Sequence, residues 1–294
     1  IDEAAGSFAG AGFLVDKSRG LILTNAHVVK RSPSEVLVSF KNKDYRPVKK
    51  IYIDNYLDLA FVQIEPSEIP EDKEEAKLEC SNIPGIGHPV GAFGHPWYFP
   101  YTGTKGIISG ITDEYKGEQL QTDASINAGN SGGPLISLIS GKVVGVNTSK
   151  FDDDKDQNTN FAEVMVYACR VFNLILEEKS PLPPELPFVY LNDLLKKIGL
   201  VVAKSYLKPG LIDIKAGDKI IEVIGHGAIK NEGQLVHALR GKLDNFTLKI
   251  IRDGKKQTIS GRLEPEKSLL KRRGLLVSGM LVAPYRFKDQ TEIN

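Results

Sequence analysis

Over the first 150 positions, apolar residues come in short runs closed by Gly, Pro, Asn, Asp or Ser. Residues 12–15, 21–24, 36–40, 48–53, 59–64, 89–93, 106–111 and 142–146 share this pattern. Runs of this length between turn residues predict strands of an antiparallel sandwich or barrel. At residues 164–176 the period changes: Val164, Ala168, Val171, Phe172 and Ile175 share one face and predict a helix. Residues 179–187 then carry Pro181, Pro183, Pro184 and Pro187. Proline lacks the backbone donor and favours extended chain, so a semi-rigid linker is expected. Beyond it the types mix. Residues 191–198 and 232–240 read as short helices, and 200–203 and 219–223 as strands. Residues 246–252 and 257–263 flank Asp253-Gly254, a hairpin-turn signal.

Composition narrows the function classes. At 294 residues the chain has room for two domains, or one large barrel with an appendage. A net charge of +1 gives no basic face for nucleic acid. No apolar run approaches the roughly 20 residues that span a bilayer. A 41% hydrophobic share with 8% aromatics excludes a disordered chain. Cys80 and Cys169 form no CxxC or CxxH pair, which excludes a cysteine zinc cluster, a thioredoxin-type site and a disulfide framework. One disulfide stays open, with two buried free thiols the plainer expectation. The chain starts at Ile1 without a charged-then-apolar leader and reads as processed or trimmed. Glu71–Lys77 reads as a solvated charge run.

Three short strings carry candidate chemistry. His27 follows a strand in Thr24-Asn-Ala-His-Val-Val29, and Asp58 heads the apolar run Leu57-Asp-Leu-Ala-Phe-Val62. A carboxylate there is costly unless paired. Ser131 lies in Gly129-Asn-Ser-Gly-Gly-Pro134. A glycine-rich loop lets successive N–H groups converge, which an oxyanion hole requires. A serine hydroxyl becomes nucleophilic when an imidazole removes its proton, and a carboxylate fixes that imidazole's tautomer. His27, Asp58 and Ser131 supply those parts in order.

These strings, with Ala92-Phe-Gly-His-Pro96, Gly106-Ile-Ile-Ser-Gly110 and Gly145-Val-Asn-Thr148, resemble the HtrA/Deg serine proteases over residues 10 to about 175. The resemblance implies a mainly β fold: a chymotrypsin-like double β-barrel followed by a small α+β PDZ-like domain. Carried over by position, His27 is the base, Asp58 its orienter and Ser131 the nucleophile. Gly129 and Ser131, with Asn130, would form the oxyanion hole. The S1 pocket would have Ser125 at its base, Val146, Asn147 and Thr148 as a wall, and Phe161 nearby. None is charged, so cleavage after small or medium aliphatic residues is expected. Asp152–Asp154 and Asp156 read as solvated. His88, His95, His226 and His237 lack ligand spacing, so no metal and no cofactor are assigned.

Residues 216–225, 232–240 and 246–261 resemble a PDZ domain, which binds a peptide as an added strand beside a helix. Ile198, Gly199 and Leu200 would form its carboxylate loop, with Leu235, Ala238 and Leu239 lining the groove. The first PDZ helix is expected to be missing, because the spacing between Pro209-Gly210 and Ala216-Gly217 is short. The N-terminal arm, with Phe8 its one aromatic, and the segment 111–121 are short for trimerisation and activation as the family achieves them. The resulting division is a protease domain over 1–180, a linker over 181–187, a PDZ-like domain over 188–268 and a tail over 269–294. That tail resembles the start of a second PDZ domain, so a longer native chain is expected. The implied activity is ATP-independent endoproteolysis of unfolded or misfolded proteins in protein quality control, in the bacterial periplasm or another exported setting rather than an organelle. C-terminal peptides would be partners of the second domain. The rival reading is a proteolytically silent peptide-binding scaffold or chaperone.

Overall fold

A computed structural model describes residues 9–29, 35–96, 99, 101–112, 118–150, 159–191, 198–268, 270, 275–277 and 280–282. They fall into two compact units that divide after Asn173. Phe8, Asp152–Asp154, Asp156 and most of the expected 191–198 helix lie outside the described residues.

The first unit opens with β1 (Phe13–Asp16), β2 (Leu21–Asn25) and a single turn, α1 (Ala26–Val29). Next come β3 (Leu37–Val38), β4 (Arg46–Pro47), β5 (Lys49–Asp54) and β6 (Leu59–Gln63). The antiparallel sheet runs β1-β2-β6-β5, and β3 pairs with β4. In β6, Leu59, Ala60 and Phe61 are wholly buried. Its continuous apolar run marks a strand covered on both faces. Because β2 and β6 pair Asn25 with Leu59, the residues just after β2 and just before β6 meet at one sheet end. That register places His27 beside Asp58.

Six further strands close a barrel: β7 (Pro89–Gly94), β8 (Thr102–Thr112), β9 (Gln119–Thr122), β10 (Pro134–Ser137), β11 (Val143–Lys150) and β12 (Asn160–Val164). Their order is β10-β11-β12-β9-β8-β7. Helix α2 (Met165–Leu176) follows directly. Met165, Ala168, Val171 and Leu174 face inward, and the Phe172 ring stacks on Phe61 at 5.8 Å. Cys80 and Cys169 are joined in a disulfide, correcting the expectation of free thiols. The bridge ties α2 to the segment leading into β7, and closing so long a loop stabilises by about 2–4 kcal/mol.

The second unit contains β13 (Phe188–Tyr190), β14 (Leu200–Ser205), β15 (Lys219–Val223), β16 (Gly227–Ala228), α3 (Glu232–Leu239), β17 (Phe246–Arg252) and β18 (Lys255–Gly261). The sheet runs β13-β14-β15-β17-β18, with β16 on β15. Asp253 and Gly254, both at positive φ, turn the β17–β18 hairpin as their sequence predicts. The Asn231 side chain caps α3 by accepting the Gln234 N–H. No helix forms over residues 206–218, in line with the short spacing there. The proline-rich segment is bonded into this unit rather than free. Glu185 N–H donates to the Glu264 carbonyl, Glu266 N–H donates to the Pro183 carbonyl, and the Arg240 guanidinium donates to the Pro181 carbonyl. In the tail, β19 (Leu275–Val277) pairs with β20 (Met280–Val282).

One buried group defies the usual rules. Glu163, on β12, is 3% exposed and accepts a hydrogen bond from the Gln119 side chain across the strand pair. Burial, and then the nearby carboxylates Asp58 and Asp54, push its pKa well above the ordinary range. A carboxyl group with a raised folded-state pKa supports folding below its unfolded pKa, and that support is lost as pH rises. Glu163→Gln keeps the acceptor without the ionisation. It is expected to leave stability near pH 4 little changed and to raise it by about 1–3 kcal/mol near pH 8, read by urea denaturation.

Candidate active site

Asp58 sits at φ +47°, a left-handed conformation that aspartate tolerates better than most residues. The bend turns its side chain back over the end of β2. Its Oδ2 lies 2.7 Å from His27 Nδ1, and its Oδ1 accepts the His27 backbone N–H at 3.0 Å. Two further donors hold its carbonyl: the Ala26 N–H at 3.0 Å and the Asn25 side-chain amide at 2.9 Å. A carboxylate fastened this way orients the imidazole, with Nδ1 toward the acid and Nε2 left to act.

The closed barrel reaches the same carboxylate. Thr148, on β11, donates its hydroxyl to Asp58 Oδ2 at 2.7 Å. Its backbone carbonyl accepts the Ser131 hydroxyl, also at 2.7 Å. Thr148 therefore stands between the acid and the serine. The Ser131 hydroxyl is held by that carbonyl rather than by His27.

The serine loop is stitched to its surroundings through the backbone. Gly132 N–H donates to Asn147 O and Asn147 N–H to Gly133 O, each at 2.8 Å. Ala11 N–H donates to Ser131 O at 2.8 Å, so the segment before β1 also fastens the loop. Asn130 N–H closes a turn on Asn127 O at 2.9 Å, with Gly129 at φ +103° in the third position. That is type II turn geometry, which calls for glycine there. A Cβ at Gly129 would lie 2.2 Å from the His95 carbonyl oxygen, and one at Gly132 2.1 Å from Thr24 Oγ1. Among the described residues, no acceptor engages the N–H of Gly129 or Ser131.

A model of the trypsin-like peptidase domain matches residues 10–146. The probable periplasmic serine endoprotease DegP-like of Pseudomonas savastanoi pv. phaseolicola is 30% identical over 269 residues, covering 85% of this chain and 54% of that protein. The serine endoprotease DegS of Escherichia coli is 29% identical over 249 residues, covering 80% of this chain and 65% of that protein. The chain belongs to the HtrA/Deg family of serine proteases. It spans about half to two thirds of the length of these curated relatives. The serine endoprotease from Yersinia pestis superposes with a TM-score of 0.66 at 26% identity, covering 90% of this chain and 91% of that one. The HtrA-type protease AlgW with tripeptide gives 0.69 at 23%, covering 88% and 90%, a likeness of fold.

Within this HtrA/Deg chain, several assigned residues sit elsewhere than expected. The Asn130 N–H is consumed by the turn, which removes it from the oxyanion donors. Val146 and Asn147 are wholly buried; Val146 pairs with Pro134 and Glu163, and the Asn147 amide donates to the Phe93 and Pro134 carbonyls. They build the barrel wall and not an open pocket. Thr148 serves the carboxylate. Ser125 is exposed, its carbonyl accepting the Thr104 hydroxyl at 2.8 Å, and Phe161 is buried on β12. His88 bonds Ser137 through Nε2 at 2.8 Å, and the His226 and His237 rings lie 5.6 Å apart.

The groove expected in the second unit is also corrected. β14 lies between β13 and β15, and Leu191 N–H donates to Val201 O, so neither edge of β14 is open for an added strand. Leu200 pairs with Ile220, and Gly199 at φ +69° turns the chain into β14 behind the half-exposed Ile198. Leu235, Ala238 and Leu239 are at most 2% exposed and form core. The sequence reading missed Thr148 as a partner of Asp58. It also missed Asn25, although Asn25 lies within the His27 string.

Gly129→Ala must place a methyl both in a left-handed conformation and against a carbonyl. It is expected to destabilise by about 2–3 kcal/mol, with Gly87→Ala as control. Gly87 has φ +87° but nothing within 4 Å of its added Cβ, so its cost should stay near 1 kcal/mol by denaturant titration.

Proposed function

We propose that this chain is a serine endopeptidase in which Ser131 is the nucleophile, His27 the general base and then acid, and Asp58 the group that orients His27. The observation that carries the reading is the two-point hold of Asp58 on His27, through Nδ1 at 2.7 Å and the backbone N–H at 3.0 Å. To react, the Ser131 hydroxyl leaves the Thr148 carbonyl and turns toward His27 Nε2. As its oxygen bonds to the scissile carbonyl carbon, its proton passes to Nε2. In this mechanism the N–H groups of Gly129 and Ser131 receive the developing oxyanion. The peptide C–N bond then breaks as His27 protonates the departing amine. Water repeats the sequence on the acyl-enzyme, freeing Ser131.

Substrates follow from what the site lacks. Neither Ser125 nor Phe161 carries a charge, so a lysine or arginine at P1 would bury a cation without a partner. Cleavage after small or medium aliphatic residues of unfolded or misfolded protein, without ATP, is the reading these residues favour. In the second unit, the edge left open to an extended C-terminal peptide on this side of the sheet is that of β13. An exported, periplasmic setting is supported by the Cys80–Cys169 disulfide, which an oxidising compartment sustains, and by the periplasmic designation of the Pseudomonas relative.

A second reading has one observation in its favour. Ser131 rests on Thr148 and not on His27, which suits a peptide-binding scaffold whose catalytic site is switched off. Fluorophosphonate labelling separates the two. The endopeptidase reading expects labelling and casein cleavage, both abolished by Ser131→Ala. Absence of Ser131-dependent labelling and cleavage from 20 to 60 °C would overturn it in favour of the scaffold.

A further inference from the structure

His95 lies one residue past β7, where the barrel wall passes the turn that carries Gly129. Its backbone N–H donates to Gly129 O at 3.1 Å, and its own carbonyl packs so closely over Gly129 that no side chain fits there. The imidazole engages a different residue. Its Nδ1 accepts the Tyr101 backbone N–H at 3.1 Å, and its ring meets the Tyr101 ring edge-on at 4.9 Å between centroids. Tyr101 is itself unusual. It holds φ +57°, a left-handed conformation that is costly for a residue with a bulky side chain and persists only where neighbours impose it. One histidine thus joins a strained tyrosine, through its ring, to the Gly129 turn, through its backbone.

We propose that His95 is a positioning residue for the Gly129 turn, its neutral imidazole pinning Tyr101 so that the turn keeps its N–H groups free for the oxyanion. The proposal rests on the endopeptidase reading above for its effect on rate, but its structural half stands separately. Only an imidazole with a bare Nδ1 accepts the Tyr101 N–H. Protonation places a hydrogen on Nδ1, breaks that bond and releases the strained tyrosine. Burial already holds the ring below its ordinary pKa, which keeps it neutral near pH 7. Among the described residues, the titratable groups on the far side of the ring are Tyr101, the Lys41 ammonium 5.5 Å from the Tyr101 ring, and Lys73 and Tyr45, which act on the Tyr101 hydroxyl. On the turn side Asn127, Ala128 and Asn130 bring no charge. Acid would therefore loosen the Gly129 turn through His95.

The test compares wild type with His95→Asn and His95→Ala in the full chain. Asparagine offers an acceptor that does not titrate in this range, whereas alanine offers none. At pH 8, His95→Ala is expected to lower kcat on a peptide substrate roughly 10- to 100-fold with KM little changed, and His95→Asn to recover most of that loss. Below neutrality, the ratio of the wild-type to the His95→Asn rate of fluorophosphonate labelling should fall as the His95 ring protonates. An NMR titration gives a readout independent of activity: the Tyr101 amide resonance should shift in step with protonation of the His95 ring. A Tyr101 amide blind to that ring, a His95→Ala rate within twofold of wild type, or a wild-type to His95→Asn rate ratio that stays constant with pH would each overturn the proposal. If His95→Ala fails to fold, the wild-type and His95→Asn profiles still decide. Absence of labelling at every pH, with the Tyr101 shift intact, would instead overturn the endopeptidase reading and leave the structural link standing.

Discussion

Everything at the site hangs on where one carboxylate goes. Asp58 ends the turn before β6, and its left-handed bend aims its oxygens at the residues after β2. Oδ1 takes the His27 N–H, and Oδ2 takes both the imidazole and the Thr148 hydroxyl. Three donors on a partly shielded carboxylate offset the cost of removing it from water, and charge-assisted bonds of this kind are worth roughly twice neutral ones. Two donors belong to the first sheet and the third to the closed barrel. Asp58 is therefore the point at which the two sheets agree on a common geometry.

The agreement extends to the serine through Thr148, whose side chain donates to Asp58 while its carbonyl holds the Ser131 hydroxyl. Exchanging the Ser131–Thr148 bond for a Ser131–His27 bond replaces one hydrogen bond with another. The net difference between two such bonds is on the order of 1 kcal/mol. A rotation of one hydroxyl at so small a cost separates a resting arrangement from a reactive one. On the endopeptidase reading, a bound peptide that fills the site and excludes water can supply that much.

What the sequence disclosed, and what it withheld, follows a physical division. Short-range signals were legible: the runs around Leu21 and Leu59, the Asp253-Gly254 turn and the 3.6-residue period ending in α2. Of the candidate site, Asp58 stood out as a charge heading an apolar run and Ser131 for the glycines around it, whereas the His27 string carries neither signal and drew notice only beside them. The missed strands β9, β10, β12 and β13 are short, and β9 and β12 carry polar residues inward, Gln119 and Glu163 bonding each other across the pair. Alternation is lost when a buried strand satisfies a polar residue with a partner on its neighbour. The S1 wall and the peptide groove failed for a different reason. Burial of Val146, Asn147, Leu235, Ala238 and Leu239 depends on strand order, and β13 occupies the β14 edge through pairing that no local pattern announces. The Cys80–Cys169 bridge is likewise a tertiary fact, set by α2 folding back after the barrel is complete.

Backbone strain shows the same economy. Among the described residues, Asn42, Asp58, Tyr101, Glu178 and Asp253 hold positive φ without being glycine. Asn42 and Asp253 belong to turn-forming types that adopt this conformation readily, and Glu178 lies just past the end of α2, where a left-handed residue ends many helices. Asp58, like Asp253, is of a turn-forming type and ends a turn, so Tyr101 is the residue that regular structure does not excuse. Donors converge on Asp58, and the His95 imidazole engages Tyr101. Left-handed backbone costs an ordinary residue such as Tyr101 roughly 1–2 kcal/mol, which contacts of this kind must offset. Asp58 is tied directly to His27, and Tyr101 is tied through His95 to the Gly129 turn. On the endopeptidase reading, these two contacts keep the base and the oxyanion donors in place before substrate arrives, so that little reorganisation is left for the reaction itself.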